Sequence, residues 1–251
     1  MARAVTDPPS SGRVALVTGA GRDREIGTAV CRALAAAGDR VAFTVQPGGP
    51  SDGAALAAEL SAVAIPADLA EADAASALLD AVEERLGAAP AVLVNNAAYE
   101  TRAGFAELDA AALDAHYAVN VRAPVLLSCE LARRHPRGAP GRIVCLTSGQ
   151  SFGPMLGELP YAITKGALET FVEQVAPELM ALGITINAVN PGVTDTGWIG
   201  DEIRGEVTRR MPAGRVGQSE DAARLIAWLC SDAAAWVTGQ VISSEGGFLR
   251  S

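Results

Sequence analysis

The chain has 251 residues, of which 49% are hydrophobic and only 4% aromatic, and carries a formal net charge of −9 with a pI near 4.8. A chain of this length buries roughly three quarters of its unfolded surface and needs neither metal nor disulfide for stability, while its acidic balance excludes nucleic acid as a main partner, since phosphate binding needs a basic face. Four scattered cysteines (Cys31, Cys129, Cys145, Cys230) with no CxxC, and only His116 and His135 beside them, argue against a metal site and for buried free thiols.

In chain order, MARAVTDPPSSGR has no apolar stretch of the secretory kind, and residues 1–12 read as a flexible arm. RVALVTG at 13–19 predicts a buried strand running into a glycine turn, and 26–39 a helix stopped by Gly38. RVAFTV at 40–45 is a second strand, 51–62 a helix with the cap formers Ser51 and Asp52 at its start, 62–68 a third strand, and 71–87 a helix. AVLVNNA at 91–97 is a fourth strand, 108–135 one long helix, and GRIVCLTS at 141–148 a fifth strand. A second long helix over 160–183, a strand over 184–192, a helix over 219–231 and a short strand within 239–247 complete the pattern. Strands alternating with helices imply right-handed crossovers and a parallel sheet covered on both faces, and the unbroken apolar runs VALV, VLV and IVCL agree. The expected architecture is a single-domain, doubly wound α/β (Rossmann) fold of about seven strands over 13–251. No run approaches the ~18 apolar residues of a membrane span, so the protein reads as cytoplasmic.

TGAGRDREIG at 18–27 follows a strand and opens a helix. There, glycines let the backbone approach a pyrophosphate held by amides at the positive helix end. A tight strand–helix connection would look much the same, so the turn does not stand alone. Tyr161 and Lys165, four apart, share one helix face. A phenol with a pKa near ~10 needs a nearby positive charge to act as a base at neutral pH. Placed beside an ammonium, Tyr161 can give a proton to a carbonyl oxygen or take one from an alcohol. Asn120 within the apolar stretch HYAVNVRAPVLLS is unusual, because a buried amide must find partners. YxxxK by itself is common on amphipathic helices, and a serine at a strand end is commonly a turn former.

Together these motifs resemble the short-chain dehydrogenase/reductase family, in particular its 3-oxoacyl-carrier-protein reductase-like members. The glycine turn, Asp68, NNA at 95–97, Asn120, Ser148 in LTSG at 146–149, YAITK at 161–165, NPGVTDT at 190–196 and SEGG at 244–247 stand in the family's order over 13–248. The resemblance implies an enzyme: an NADP(H)-dependent oxidoreductase interconverting a carbonyl and a secondary alcohol. Its catalytic group would be Asn120, Ser148, Tyr161 and Lys165. Ser148 would bind the substrate oxygen, Lys165 the nicotinamide ribose, and Asn120 a water leading from Lys165 to solvent. Thr147 and Ser151 are rival hydroxyls at less fitting spacings. The implied cofactor contacts are Gly19, Gly21, Arg22, Ile26 and Gly27 in the turn, Asp68 and Leu69 at the adenine, and Asn96 and Ala97 at its ribose. Tyr161, Lys165, Pro191, Gly192, Val193 and Thr196 would complete the set, with no metal.

The turn departs from the family by two extra residues and by Glu25 where a glycine is usual. The expectation is that the expanded loop turns Asp23 and Glu25 outward and leaves Arg22 free for a 2′-phosphate. No acid follows the second strand at Phe43–Gln46 to bind a ribose diol, which favours NADP(H) over NAD(H). Residues 194–215 read as a substrate lid, with Tyr99, Gln150, Met155, Leu159, Trp198 and Ile199 as pocket walls. The two long helices predict a homotetramer or homodimer. Non-redox chemistry on the same fold (dehalogenase, lyase or cyclase) and a non-catalytic NADP-binding regulator are the alternatives. Dehalogenase relatives lose the turn and replace the lysine, and the regulators lose the tyrosine or lysine, whereas Tyr161, Lys165 and most of the turn are present here.

Overall fold

The computed structural model describes residues 12–197 and 199–248. The expected arm over 1–12 and Trp198 thus fall outside the described residues, except for Gly12. β1 (Val14–Val17) is buried at all four positions. Its alternating side chains enter two cores: Val14 and Leu16 join one, Ala15 and Val17 the other. A strand covered on both faces has to be apolar at every position, which is why VALV shows no alternation.

The remaining elements follow as α1 (Ile26–Ala36), β2 (Arg40–Val45), α2 (Ala54–Leu60), β3 (Val63–Pro66), α3 (Ala74–Leu86) and β4 (Val92–Asn95). After them come α4 (Ala110–Tyr117), α5 (Ala123–Arg134), β5 (Gly141–Leu146), α6 (Leu159–Met180), β6 (Ile184–Asn190), α7 (Asp201–Arg210), α8 (Ser219–Leu229) and β7 (Val241–Ser243). The strands form one seven-stranded sheet in the order β3-β2-β1-β4-β5-β6-β7, and every pair is parallel. On one face, Leu79 and Val82 of α3, Leu127 and Leu131 of α5, and Leu168 and Val172 of α6 pack on the sheet. On the other, Val30 and Leu34 of α1 and Ile226 and Leu229 of α8 do the same. The winding reverses between β1 and β4, so the loops leaving these strands diverge and open a crevice at their carboxyl ends.

Two expectations about helices are corrected. The single helix over 108–135 is two helices joined by a π-helical turn at Ala118–Arg122. Pro124 has no N–H to give to the carbonyl of Asn120, and the amide of Ala123 reaches back five residues to Ala118 instead. The stretch read only as a lid contains the ten-residue helix α7. The cysteines are all free, three of them buried and Cys129 half-buried. Among the described residues no group of side chains could hold a metal, and no helix is long and apolar enough to cross a membrane.

Candidate active site

The glycine turn leaves β1 at Thr18. The hydroxyl of Thr18 accepts the amides of Asn96 (3.0 Å) and Ala97 (3.1 Å), locking the turn to the end of β4. The side chain of Asn96 donates back to the carbonyls of Thr18 (2.9 Å) and Gly19 (2.5 Å). This close approach sets the need for glycine. A Cβ on Gly19 would stand 2.8 Å from the Cα of Ala97, and one on Gly27 would collide with the carbonyl oxygen of Gly19 and stand 2.6 Å from the side-chain nitrogen of Asn96. Gly19 also has φ 73°, which other residues seldom adopt.

A groove of about 530 Å³ opens over this turn. Of the residues expected to hold the dinucleotide, Gly19, Arg22 and Ile26 line it from the turn, Asp68 and Leu69 from the end of β3, and Asn96, Ala97 and Thr196 from β4 and the segment after β6. Gly21 and Gly27 shape the groove without lining it, and Pro191, Gly192 and Val193 lie beyond it, at the end of β6. Thr44, not anticipated from the sequence, accepts the amide of Gly19 at 2.9 Å and lines the groove beside Val45 and Gln46. The N-terminus of α1 carries no side-chain cap, so its first amides remain available to an anion. Close-packed glycines, an uncapped helix end and a groove of this size fit a dinucleotide pyrophosphate.

The expanded part of the turn behaves differently from expectation. Asp23 does turn outward and pairs with Arg32 at 2.9 Å. Glu25 does not. Its carboxylate folds back to accept the amide of Arg22 at 3.1 Å and the guanidinium of Arg22 at 2.5 Å, and it lines the groove. Arg22 is thus paired rather than free. With two extra residues the turn is long enough to close on itself, and a charge-assisted pair is a better resting place for a half-buried carboxylate than a bare groove wall. Arg24 points the other way and pairs with Asp195.

β5 and α6 bring Ser148, Tyr161 and Lys165 together; Tyr161 and Lys165, also expected to touch the dinucleotide, do not line the groove. Lys165 is almost fully buried and donates to the carbonyl of Leu146 at 2.8 Å, with Nζ 5.3 Å from the centre of the Tyr161 ring. Ser148, which follows β5 by two residues, acts on the Tyr161 phenol and favours its charged form. The rival hydroxyls are elsewhere: Thr147 is buried with no partner among the described residues, and Ser151 is exposed and bonded to Glu169. Asn120 sits in the π turn. Its side chain accepts the amide of Tyr99 (2.7 Å) and donates to the carbonyl of Tyr99 (2.9 Å) and to Thr164 (3.1 Å). Thr164 in turn donates to the carbonyl of Tyr161 at 2.8 Å. The amide of Asn120 thus ties the segment after β4 to the helix that carries the tyrosine.

Burial lowers the Lys165 ammonium to about 8, with Cys145 and Glu100 opposing the shift. Burial pushes the Tyr161 phenol well above its usual range; the carboxylates of Glu100 and Glu158 add to the rise and Ser148 works against it. The positive charge of Lys165 lies beside the ring rather than against the hydroxyl, and these groups by themselves keep Tyr161 protonated at neutral pH. That is the state a proton donor needs. Glu100 and Glu158 were not singled out from the sequence; they stand near Tyr161 because Ala103 pairs with Gly157 and Leu159 across the start of α6. Of the expected pocket walls, Tyr99 packs edge-on against His116, Ile199 is buried, and Gln150, Met155 and Leu159 are half-buried.

The chain as a whole is similar to known proteins. Residues 19–249 match the family model described as enoyl-(acyl carrier protein) reductase. The chain belongs to the short-chain dehydrogenase/reductase family. An uncharacterised oxidoreductase, YjdA, of Bacillus subtilis (strain 168) is 46% identical, over 96% of this chain and 98% of that protein. The L-xylulose reductase of Bos taurus is 36% identical over 95% of this chain and 97% of its own length. Among solved structures, a blue fluorescent protein from a metagenomic library, in complex with NADPH, superposes with a TM-score of 0.86 at 33% identity, covering 94% of this chain and 98% of that one. As a short-chain dehydrogenase/reductase, the chain is an NAD(P)-dependent oxidoreductase.

Proposed function

We propose that this short-chain dehydrogenase/reductase interconverts a small carbonyl compound and its secondary alcohol with NADP(H), Tyr161 serving as the general acid and base. The observation that carries this reading is a buried Lys165 one helical turn from Tyr161, with Nζ 5.3 Å from the centre of its ring and Ser148 acting on the phenol, in a chain whose glycine turn opens a dinucleotide-sized groove. The bound nucleotide supplies a hydride to the carbonyl carbon, or accepts it in the reverse direction. The chain's own groups do the rest. Ser148 and Tyr161 hold the carbonyl oxygen, and the Tyr161 proton passes to that oxygen as negative charge builds on it. Lys165 holds the nicotinamide ribose and keeps a positive charge beside the phenolate left behind. The side chain of Asn120 is committed to Tyr99 and Thr164. A water on the way to Lys165 would therefore bind the backbone carbonyl of Asn120, which Pro124 leaves without its α-helical donor.

The preference for NADP(H) over NAD(H) rests on Arg22 at the groove and on the lack of an acid at Thr44, Val45 and Gln46, which line the groove where a ribose diol would be read. An NADPH complex of a relative supports the same choice. Residues 194–215 form the lid over the substrate. A homotetramer or homodimer in the cytoplasm is part of the proposal; Tyr117 and Ile163 on α4 and α6 expose about half their surface, as an interface would require. The test is NADPH oxidation over a panel of aldehydes, ketoses and simple ketones. No turnover of any of them by a chain that binds NADPH would reject the reading, and light scattering at micromolar concentration that showed a monomer would remove its oligomeric part.

A further inference from the structure

The two residues added to the glycine turn do more than close it on itself, because they carry Arg24 outward to a partner far away in the chain. Asp195 follows β6 at the start of the lid: its amide donates to the carbonyl of Gly217 at 2.9 Å, and the amide of Gly217 donates to the carbonyl of Val193 at 3.1 Å. Its side chain is only 5% exposed. The carboxylate accepts the amide of Gly197 at 3.0 Å and pairs with two guanidinium groups, Arg24 of the turn and Arg204 of α7, the latter at 2.6 Å. Ser219, which opens α8, bonds the carbonyl of Arg24 at 2.6 Å and fixes the turn from its other side. Thr196 lines the nucleotide groove, while Asp195, inside a tight turn in which the amide of Thr196 donates to the carbonyl of Thr194 at 3.1 Å, lines a separate cavity of about 410 Å³. The turn and α7 meet across that cavity, joined by ion pairs rather than by apolar packing. A nearly buried carboxylate that loses one of two cationic partners is left under-compensated, so neither arm of the pair is an idle surface contact.

We propose that Asp195 is a positioning residue that clasps the nucleotide turn to α7, so that dinucleotide binding and closure of the lid strengthen one another. This rests on the reading of 194–215 as the lid. A coupling of this kind is reciprocal, so each site reports on the other. Arg204 does not line the nucleotide groove. Its replacement in Arg204→Ala should nonetheless weaken NADPH binding by calorimetry by about fivefold or more, the lower end of the usual coupling between sites. Arg204→Lys should restore most of that loss. Conversely, Arg24→Ala should speed cleavage by a glutamyl endopeptidase at Glu206, which is exposed in α7, in the protein without nucleotide. Asp195→Asn, which keeps an oxygen for the Gly197 amide, should show both effects. Wild-type NADPH affinity in Arg204→Ala, or wild-type cleavage in Arg24→Ala, overturns the clasp. A wild-type chain that bound NADPH but reduced no carbonyl would defeat the proposed function alone, and the clasp would still be judged on the same two readouts.

Discussion

The wall that carries Ser148, Tyr161 and Lys165 and the turn that carries Arg22 and Glu25 are held in different ways. The wall is built on buried elements. Lys165 is locked to a main-chain carbonyl, and Thr164 and Asn120 bond backbone on both sides of the site. At the groove the expanded turn is held by the half-exposed pair of Arg22 and Glu25, with the side chain of Arg22 59% exposed. Buried, mutually satisfied groups have one low-energy arrangement, because leaving any of them unpaired costs the full desolvation penalty. Exposed pairs are worth little each and can be exchanged for water or ligand. Catalytic geometry is thus fixed by the core, and nucleotide preference is left to groups that can rearrange on binding.

The largest expected effect lies on the wall. Tyr161→Phe should cut kcat by about 10²–10⁴-fold while leaving NADPH affinity near wild type, since only the transferable proton is removed. Retention of more than about a tenth of kcat, a penalty below ~1.4 kcal/mol, would end the acid/base role.

Next comes Lys165. Its folded pKa of about 8 lies below the ordinary value of 10.5, so burial of the charged amine costs stability at every pH below about 8. The cost fades as pH rises from about 8 to the unfolded value, where the unfolded chain binds the extra proton. Lys165→Met should therefore gain about 3 kcal/mol in denaturant unfolding at pH 7, a shift of roughly two and a half pK units at 1.36 kcal/mol each, and almost nothing near pH 10.5. The same variant should lose turnover. A stability gain independent of pH would mean that better packing, not the buried charge, is responsible. In the wild type, turnover should fall as pH rises through about 8 and Lys165 loses its proton.

On the turn the effects are smaller and act on choice of nucleotide. Arg22→Ala should weaken NADPH relative to NADH by roughly 1–3 kcal/mol, the range for a lost charge-assisted bond. An unchanged ratio by calorimetry would overturn the NADP(H) preference and leave hydride transfer intact. Smallest is Glu25→Gln. It releases Arg22 and removes a negative charge from the groove, and should tighten NADPH by about 1 kcal/mol or less, as expected of a partly exposed pair. Weaker NADPH binding in that variant would show that Glu25 holds Arg22 in its working position instead of competing for it.

How much could be read from the sequence follows the same division. The strands and the sheet were legible because VALV and IVCL can only be buried on both faces, and Tyr161 and Lys165 because four residues make one turn of helix. The break in the helix at Ala118–Arg122 was not anticipated. Its cause, Pro124 four residues after Asn120, was in plain view but reads as tolerable within an apolar helical stretch. The pairing of Glu25 with Arg22 could not be read, because charge alone does not say whether a carboxylate turns outward or folds back when the loop is two residues longer. Arg24 and Asp195 are 171 residues apart, and no local pattern brings them together. Glu100 and Glu158 meet near Tyr161 only through the pairing of Ala103 with Gly157 and Leu159.

The buried thiols turn the protein into its own clock. Cys31 lies in α1, Cys145 in β5 and Cys230 at the end of α8; burial pushes Cys145 and Cys230 up to about 12, and Cys31 higher still. Alkylating reagents attack the thiolate, and these three present almost none of it while the chain stays folded. Each can be labelled only when its surroundings open, so the labelling rate of each site measures local unfolding without any added probe. Cys145 contacts Asn95 beneath the lysine-bearing helix, so its rate alone would time the opening of the catalytic wall.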